Sequence, residues 1–202
     1  MSYWTRPERP VRRRRAVTVE GIAEATLGVL DADGLRGLTT RSLAQRLGVA
    51  PASIYSRVST IDDALDLAVD RALTIDRTLR AQVLDGTLES LMLAWYRHLV
   101  QRPWLPGVAV ARIPSSPAYR ELSARLLALV APVGEDRHTR LSTSYALSNF
   151  VLGSAAAACT LAESDRLGTS GEAPTAEDDP IDPEQVFEHG LHAMLRGFAC
   201  TS

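Results

Sequence analysis

Residues 38–58, LTTRSLAQRLGVAPASIYSRV, gather side chains whose types and spacing suit contact with a nucleic acid. Arg41 offers a guanidinium that matches a guanine edge or a phosphate. Thr40, Ser53, Tyr55 and Ser56 offer hydroxyls that donate to phosphate oxygens, and Arg57 adds a second positive group. Ala52, Ser53 and Ser56 are small, so a helix carrying them can approach a groove floor closely. Ile54 and Val58 stand four residues apart and would share its inner face. The chemistry is recognition of a polyanion: hydrogen bonds to base edges for sequence, charge and hydroxyls for position.

Such side chains work only if two short helices meet at a sharp turn, the second presenting its N-terminal end. Gly48 supplies the backbone freedom for that turn. Pro51 suits the first turn of the second helix, where its missing N–H has no intrahelical partner. That helix is expected from Pro51 to about Arg57. Its forerunner is expected to start at a cap on Thr39 or Thr40, with Leu43, Ala44 and Leu47 inward. A preceding helix with Ile22, Ala23, Leu27 and Leu30 on one face begins at Thr18 and is stopped by Asp33-Gly34.

Charge distribution agrees with this reading. The net charge of −2 conceals ten Arg against five acids in residues 1–60, a local excess of +5 on an acidic remainder. Residues 1–17 hold six Arg, including Arg12, Arg13, Arg14 and Arg15, with two Pro and no apolar periodicity, which predicts a flexible arm for phosphate or minor-groove contact. All 22 basic residues are Arg.

The rest of the chain reads as helices, about nine in all, with no convincing strand: an all-α fold. A helix capped by Ser59 or Thr60 runs to about Leu79, followed by amphipathic stretches around residues 88–99, 119–130 and 187–198. Residues 141–163 are apolar on most faces, as in a helix packed on several sides. Ser148, Asn149, Ser154 and Thr160 make that run a poor membrane span, so no membrane partner is expected. Residues 167–183 are rich in Gly, Pro and acids and are expected to form a mobile loop. Two cysteines without metal spacing and no signal sequence point to reduced thiols in the cytoplasm.

The pattern GLTTRSLAQRLGV…SIYSRV…ALDLAV resembles the N-terminal domain of the TetR family of transcriptional regulators over residues 18–73. Residues 37–49 resemble its tetracycline-repressor branch especially, and YALSNFVLGSAAAA and FEHGLHAMLRGF more weakly resemble that branch's last helices. The resemblance implies a DNA-binding domain at 18–62 and an effector-binding and dimerisation domain at 63–202. It implies a homodimer that binds a palindromic double-stranded operator as a repressor and is released by a small-molecule effector, without a cofactor. It also puts Thr40, Arg41, Ala52, Ser53, Tyr55, Ser56 and Arg57 at DNA-contacting positions. Where the family commonly has a lysine opening the following helix, this chain has Ile61.

Trp95, His98, Trp104, Arg112, Tyr119 and Phe150 are candidates to line a cavity for a lipophilic effector, the aromatics being alternatively core. Gly153 and Ala157 suit close helix approach, either within one subunit or across a dimer. The resemblance favours the dimer, with Phe187, Leu191, Met194 and Phe198 joining that interface. His189 and His192 stand three apart without a further compact ligand, so no metal is expected. No nucleophile–base pair or phosphate loop appears, which argues against an enzyme. The rival readings are a helical enzyme or a ligand-binding helical protein with a degenerate head. If the arm touches phosphates, deleting residues 1–15 will weaken duplex binding and flatten log K against log salt by roughly 0.9 per lost contact; an unchanged slope removes the arm from the interface.

Overall fold

The computed structural model describes residues 17–111, 115–133, 136–168 and 182–199. Arg12, Arg13, Arg14, Arg15, Arg112, Cys200 and nearly all of the expected 167–183 loop lie outside the described residues. Ten α-helices follow in order: α1 (Val19–Gly37), α2 (Thr40–Leu47), α3 (Pro51–Ile54), α4 (Ile61–Ile75), α5 (Arg77–Asp85), α6 (Leu88–Val100), α7 (Leu105–Ala111), α8 (Pro117–Leu129), α9 (Arg137–Leu167) and α10 (Pro183–Ala199). A 3-10 turn, Ala131–Val133, joins α8 to α9, and the described residues contain no strand.

The tenth helix arises because the segment expected to run unbroken to Leu79 breaks at Asp76, whose backbone is extended (ψ 97°). The Asp76 carboxylate then accepts from the Leu79 N–H at 2.9 Å and starts α5 afresh. Thr60, the residue actually capping α4, accepts from the Asp63 N–H at 3.1 Å. Asp63 in return accepts from Ser59 and Thr60 N–H at 2.7 and 3.0 Å, so this buried carboxylate satisfies two otherwise orphaned donors. Gly34 interrupts α1 with φ 65°, the expected stop, leaving one short turn beyond it.

The chain forms two compact units. The first comprises the described residues up to Arg80 together with Ala111–Leu122; the second comprises Ala81–Val110 and the described residues from Ser123 onward. α4 packs along α1 within the first unit. In that unit Ile22, Ala23, Ala25, Leu43, Ala44, Ile54, Val58, Ala64 and Leu67 form one apolar core. Val17, Val19, Leu47, Val49 and Ile61 close over it. Ile61 thus spends its side chain on the core, which explains an apolar residue at that helix start. Asp70 of α4 accepts from the Ala118 N–H at 2.9 Å, and Arg80 pairs with Glu121, tying residues 111–122 to the same unit.

In the second unit α6, α9 and α10 pack together. Phe187 of α10 is stacked against Tyr96 of α6 (centroids 4.3 Å) and Phe150 of α9 (5.2 Å). A Cβ at Gly190 would stand 2.7 Å from the Phe150 ring, so only glycine there leaves the ring its place. Burial, reinforced by Glu184, pushes the Tyr96 phenol up to about 12. The polar rim adds Arg97–Glu184 (2.5 Å) and His192–Glu89 (2.7 Å), exposed pairs of small energetic weight. Phe187 is 1% exposed and Leu191 likewise. The expectation that these two side chains meet a partner is corrected: they fill their own subunit's core. Phe187→Ala should cost about 3–5 kcal/mol, read as a lowered midpoint in denaturant unfolding; a loss below about 1 kcal/mol would refute the stack as the joint of this unit.

Candidate nucleic-acid interface

The recognition element is built by caps and two buried anchors. Thr39 accepts from the Ser42 N–H at 3.0 Å, and the Ser42 hydroxyl accepts from the Thr39 N–H at 3.0 Å, closing a capping box at the start of α2. Of the two threonines that might serve, Thr39 is the cap, which leaves Thr40 for other contacts. At the far end Gly48 adopts φ 66°, ψ 36°, and the Val49 N–H bonds to the Ala44 carbonyl at 3.1 Å. Ala50 is extended, and Pro51 opens α3.

The second helix is shorter than expected. α3 is a single turn, Pro51–Ile54, and the chain then tightens. Arg57 N–H bonds to the Ile54 carbonyl at 3.0 Å and Val58 N–H to the same carbonyl at 3.3 Å, so hydrogen-bonded turns carry the element to Val58. Ile54 and Val58 are buried against α1, α2 and α4 residues, as their spacing predicts. Their burial turns Ala52, Tyr55 and Ser56 outward.

Two of the candidate contact residues are brought together across the turn. The Thr40 hydroxyl and the Tyr55 hydroxyl lie 2.8 Å apart, linking the first residue of α2 to the residue that ends α3. Tyr55 remains 43% exposed. Arg41 and Ala52 are exposed on the same element, Ser53 is half-buried, and the Ser56 hydroxyl donates to the Ser53 carbonyl at 2.7 Å. Arg57 is half-buried, and its Nε–H donates to the Val17 carbonyl at 3.0 Å. Arg46 is a residue that sequence reasoning misses. Its guanidinium covers α1 at Gly28, where a Cβ would stand 2.3 Å from it; a glycine facing a long cation is a signal no helical period reveals.

The effector candidates separate. Trp95, His98 and Trp104 are buried in the second unit, and Phe150 there is engaged with Phe187. Tyr119 belongs to the first unit, where burial pushes its phenol up. In the second unit the Cys159 thiol lies 3.9 Å from the Val100 carbonyl, and burial raises it too. Among the described residues no three His, Cys, Asp or Glu side chains group as a metal site.

α9 buries Thr143, Leu147, Val151, Leu152, Ala155 and Ala158. Among the described residues its other face is open: Tyr145, Asn149, Gly153 and Ala157 stand there, all exposed, Tyr145 by 70%. Among the described residues, packing of α9 on several sides is not met within one chain. By length and composition alone α9 could cross a membrane, a test that core helices of bundles also pass. Met194 and Phe198 of α10 are half-buried.

No family profile matches the chain. It is 34% identical to an HTH-type transcriptional regulator of Saccharopolyspora erythraea over 224 aligned positions, spanning 100% of this chain and 92% of that relative. It is 27% identical to the class D tetracycline repressor protein of Escherichia coli over 197 positions, 89% of this chain and 88% of the repressor. Among solved structures it is similar to ActR, a TetR family protein of Streptomyces coelicolor in complex with (S)-DNPA. The TM-score is 0.72 at 25% identity, over 93% of this chain and 99% of that one.

Tyr55→Phe isolates the hydroxyl. Its partner Thr40 is only half-buried, so unfolding stability should change by less than about 1 kcal/mol. Duplex affinity should nevertheless fall roughly tenfold, the worth of one hydrogen bond to a charged acceptor. Unchanged affinity in a binding assay would remove Tyr55 from the contact surface.

Proposed function

Because the chain belongs to the TetR family of helix–turn–helix transcriptional regulators, we propose that it acts as a homodimeric, effector-released repressor of a palindromic operator. The observation that carries the reading is the exposed edge of α2 and α3, with Arg41, Ala52, Tyr55 and Ser56 outward and Thr40 bonded to Tyr55. Small residues let that edge enter a major groove, Arg41 serves a guanine edge or a phosphate, and the hydroxyls serve phosphates.

A palindrome needs two heads about 34–36 Å apart. The open α9 face supports a dimer: Gly153 and Ala157, beside Tyr145 and Asn149, allow close approach of a second copy's helix. Met194 and Phe198 of α10, each retaining exposed surface, would extend the contact. The effector is a small lipophilic molecule held by the second unit, with Trp95 and Trp104 as apolar walls and His98 as a polar contact. ActR, itself in complex with a small organic ligand, is a precedent for such a site in a protein of this shape. The effector must bind the released state more tightly, typically by about 1–3 kcal/mol, to shift the heads away from operator spacing. Action on DNA supports a cytoplasmic location.

The decisive experiment is selection of bound genomic fragments by the purified protein at defined salt. One palindromic sequence should emerge, and binding to it should exceed binding to random duplex by at least about 10³-fold. Affinity indifferent to base sequence would favour a helical ligand-binding protein with a degenerate head. Gly153→Glu should give a monomer in sedimentation and lose operator affinity while remaining folded, since the residue is exposed; a dimer that persists would move the interface elsewhere.

A further inference from the structure

Thr40 and Tyr55 stand 15 residues apart in the chain, yet their hydroxyls meet at 2.8 Å across the helix–turn–helix. The capping box at the start of α2 is closed by Thr39 and Ser42, so the Thr40 hydroxyl is not spent on a helix end. Ser42 and Ser56 donate to the Gly37 and Ser53 carbonyls, each at 2.7 Å, which turns their protons back into the protein. The Thr40–Tyr55 pair differs. Each hydroxyl carries one proton, and the bond between them uses one of the two, so one proton is left to donate. Tyr55 is 43% exposed and Thr40 half-buried, which puts the outward proton on the phenol when Thr40 donates to it.

We propose that Thr40 is a positioning residue for Tyr55, and that the two hydroxyls act as one unit with a single outward donor, the Tyr55 phenol, to one phosphate oxygen of the duplex. This rests on the DNA-binding reading above.

A phosphate oxygen only accepts, so it matches a unit with one proton to give. The phenol lies at the end of a long, exposed side chain that would otherwise sample several directions. Threonine is β-branched and stiff at χ1, and Thr40 is the first residue of α2. Their bond therefore ties a long side chain to a short one on a rigid element. The direction of the phenol is settled before DNA arrives, which lowers the ordering cost of binding. A hydroxyl that accepts one hydrogen bond is also polarised to donate another more strongly. Because both hydroxyls are neutral, this contact adds affinity without adding to the salt dependence, unlike a contact from the exposed Arg41 next to Thr40.

The test measures affinity for the selected palindrome across a salt series with wild type, Thr40→Val, Thr40→Ser, Tyr55→Phe and the double variant Thr40→Val/Tyr55→Phe. Tyr55→Phe removes the donor and should cost about tenfold. Thr40→Val keeps the shape of threonine but leaves the phenol untethered, and should cost at least about threefold. The double variant should lose no more than Tyr55→Phe alone, whereas independent contacts would multiply. Thr40→Ser keeps a hydroxyl and should recover most of the loss seen with valine. The salt slope should stay as in wild type throughout; a head merely distorted by the substitution would also misplace Arg41 and flatten it. A scan of single methylphosphonates along the duplex probes the phosphate with the unaltered protein. One position should cost wild type about tenfold and Tyr55→Phe nothing further, with Thr40→Val between the two. Wild-type affinity in Thr40→Val, losses that multiply, no recovery with serine, a flattened slope, or a scan that all proteins read alike would overturn the proposal. Sequence-indifferent binding by the wild-type protein would instead overturn the regulator reading itself.

Discussion

The recognition surface depends on the burial of Ile54 and Val58. A single turn of helix fixes several backbone angles for almost no hydrogen-bond return, so α3 has no stability of its own. What holds it is an apolar side chain at each end of the element, inserted into a core supplied by α1, α2 and α4. Everything outward follows from that: Ala52, Tyr55 and Ser56 are exposed because Ile54 and Val58 are not. The caps then refine the placement. Gly48 sets the angle between the helices, Thr39 and Ser42 close the start of α2, and Thr60 with Asp63 does the same for α4. Each of these removes an orphan backbone donor or acceptor that would otherwise fray a short helix.

The second unit solves a different problem. α9 is 31 residues long and apolar on most faces over residues 141–163, yet among the described residues of one chain only one side is covered. That side is organised by an aromatic column of Tyr96, Phe187 and Phe150, with Gly190 making room for the last ring. The opposite side carries Tyr145, Asn149, Gly153 and Ala157, all exposed. In the proposed dimer a second copy of the same helix covers this face. In that proposed arrangement, recognition of a two-fold operator and cover for α9 would be met by one symmetry.

Much of the first unit is legible in the sequence because its signals are local. Pro51 at a helix start, Gly48 past a helix end and Asp33-Gly34 as a stop depend only on backbone sterics at the residue concerned. The periodic apolar residues of α1 and α2 likewise declare which face is inward. The break at Asp76 is hidden because apolar periodicity continues across it, and only a side-chain cap reveals the new start. The roles of Phe187 and Leu191 escape the sequence for a related reason: an apolar stripe states that a face is covered, but not by which chain.

Sequence alone determined the all-helical class, the helix–turn–helix, the basic N-terminal third and the kinship with the TetR family. These follow from propensity, period, charge and motif, all of which are written along the chain. Tertiary structure decided what no one-dimensional pattern encodes, namely which groups meet. It coupled Thr40 to Tyr55, joined Arg57 to the Val17 carbonyl, laid Arg46 across Gly28 and buried Phe187 between Tyr96 and Phe150. The physical reason is that a hydrogen bond or a ring stack is fixed by distance and direction between residues up to tens of positions apart, and those are set only once the whole core has packed.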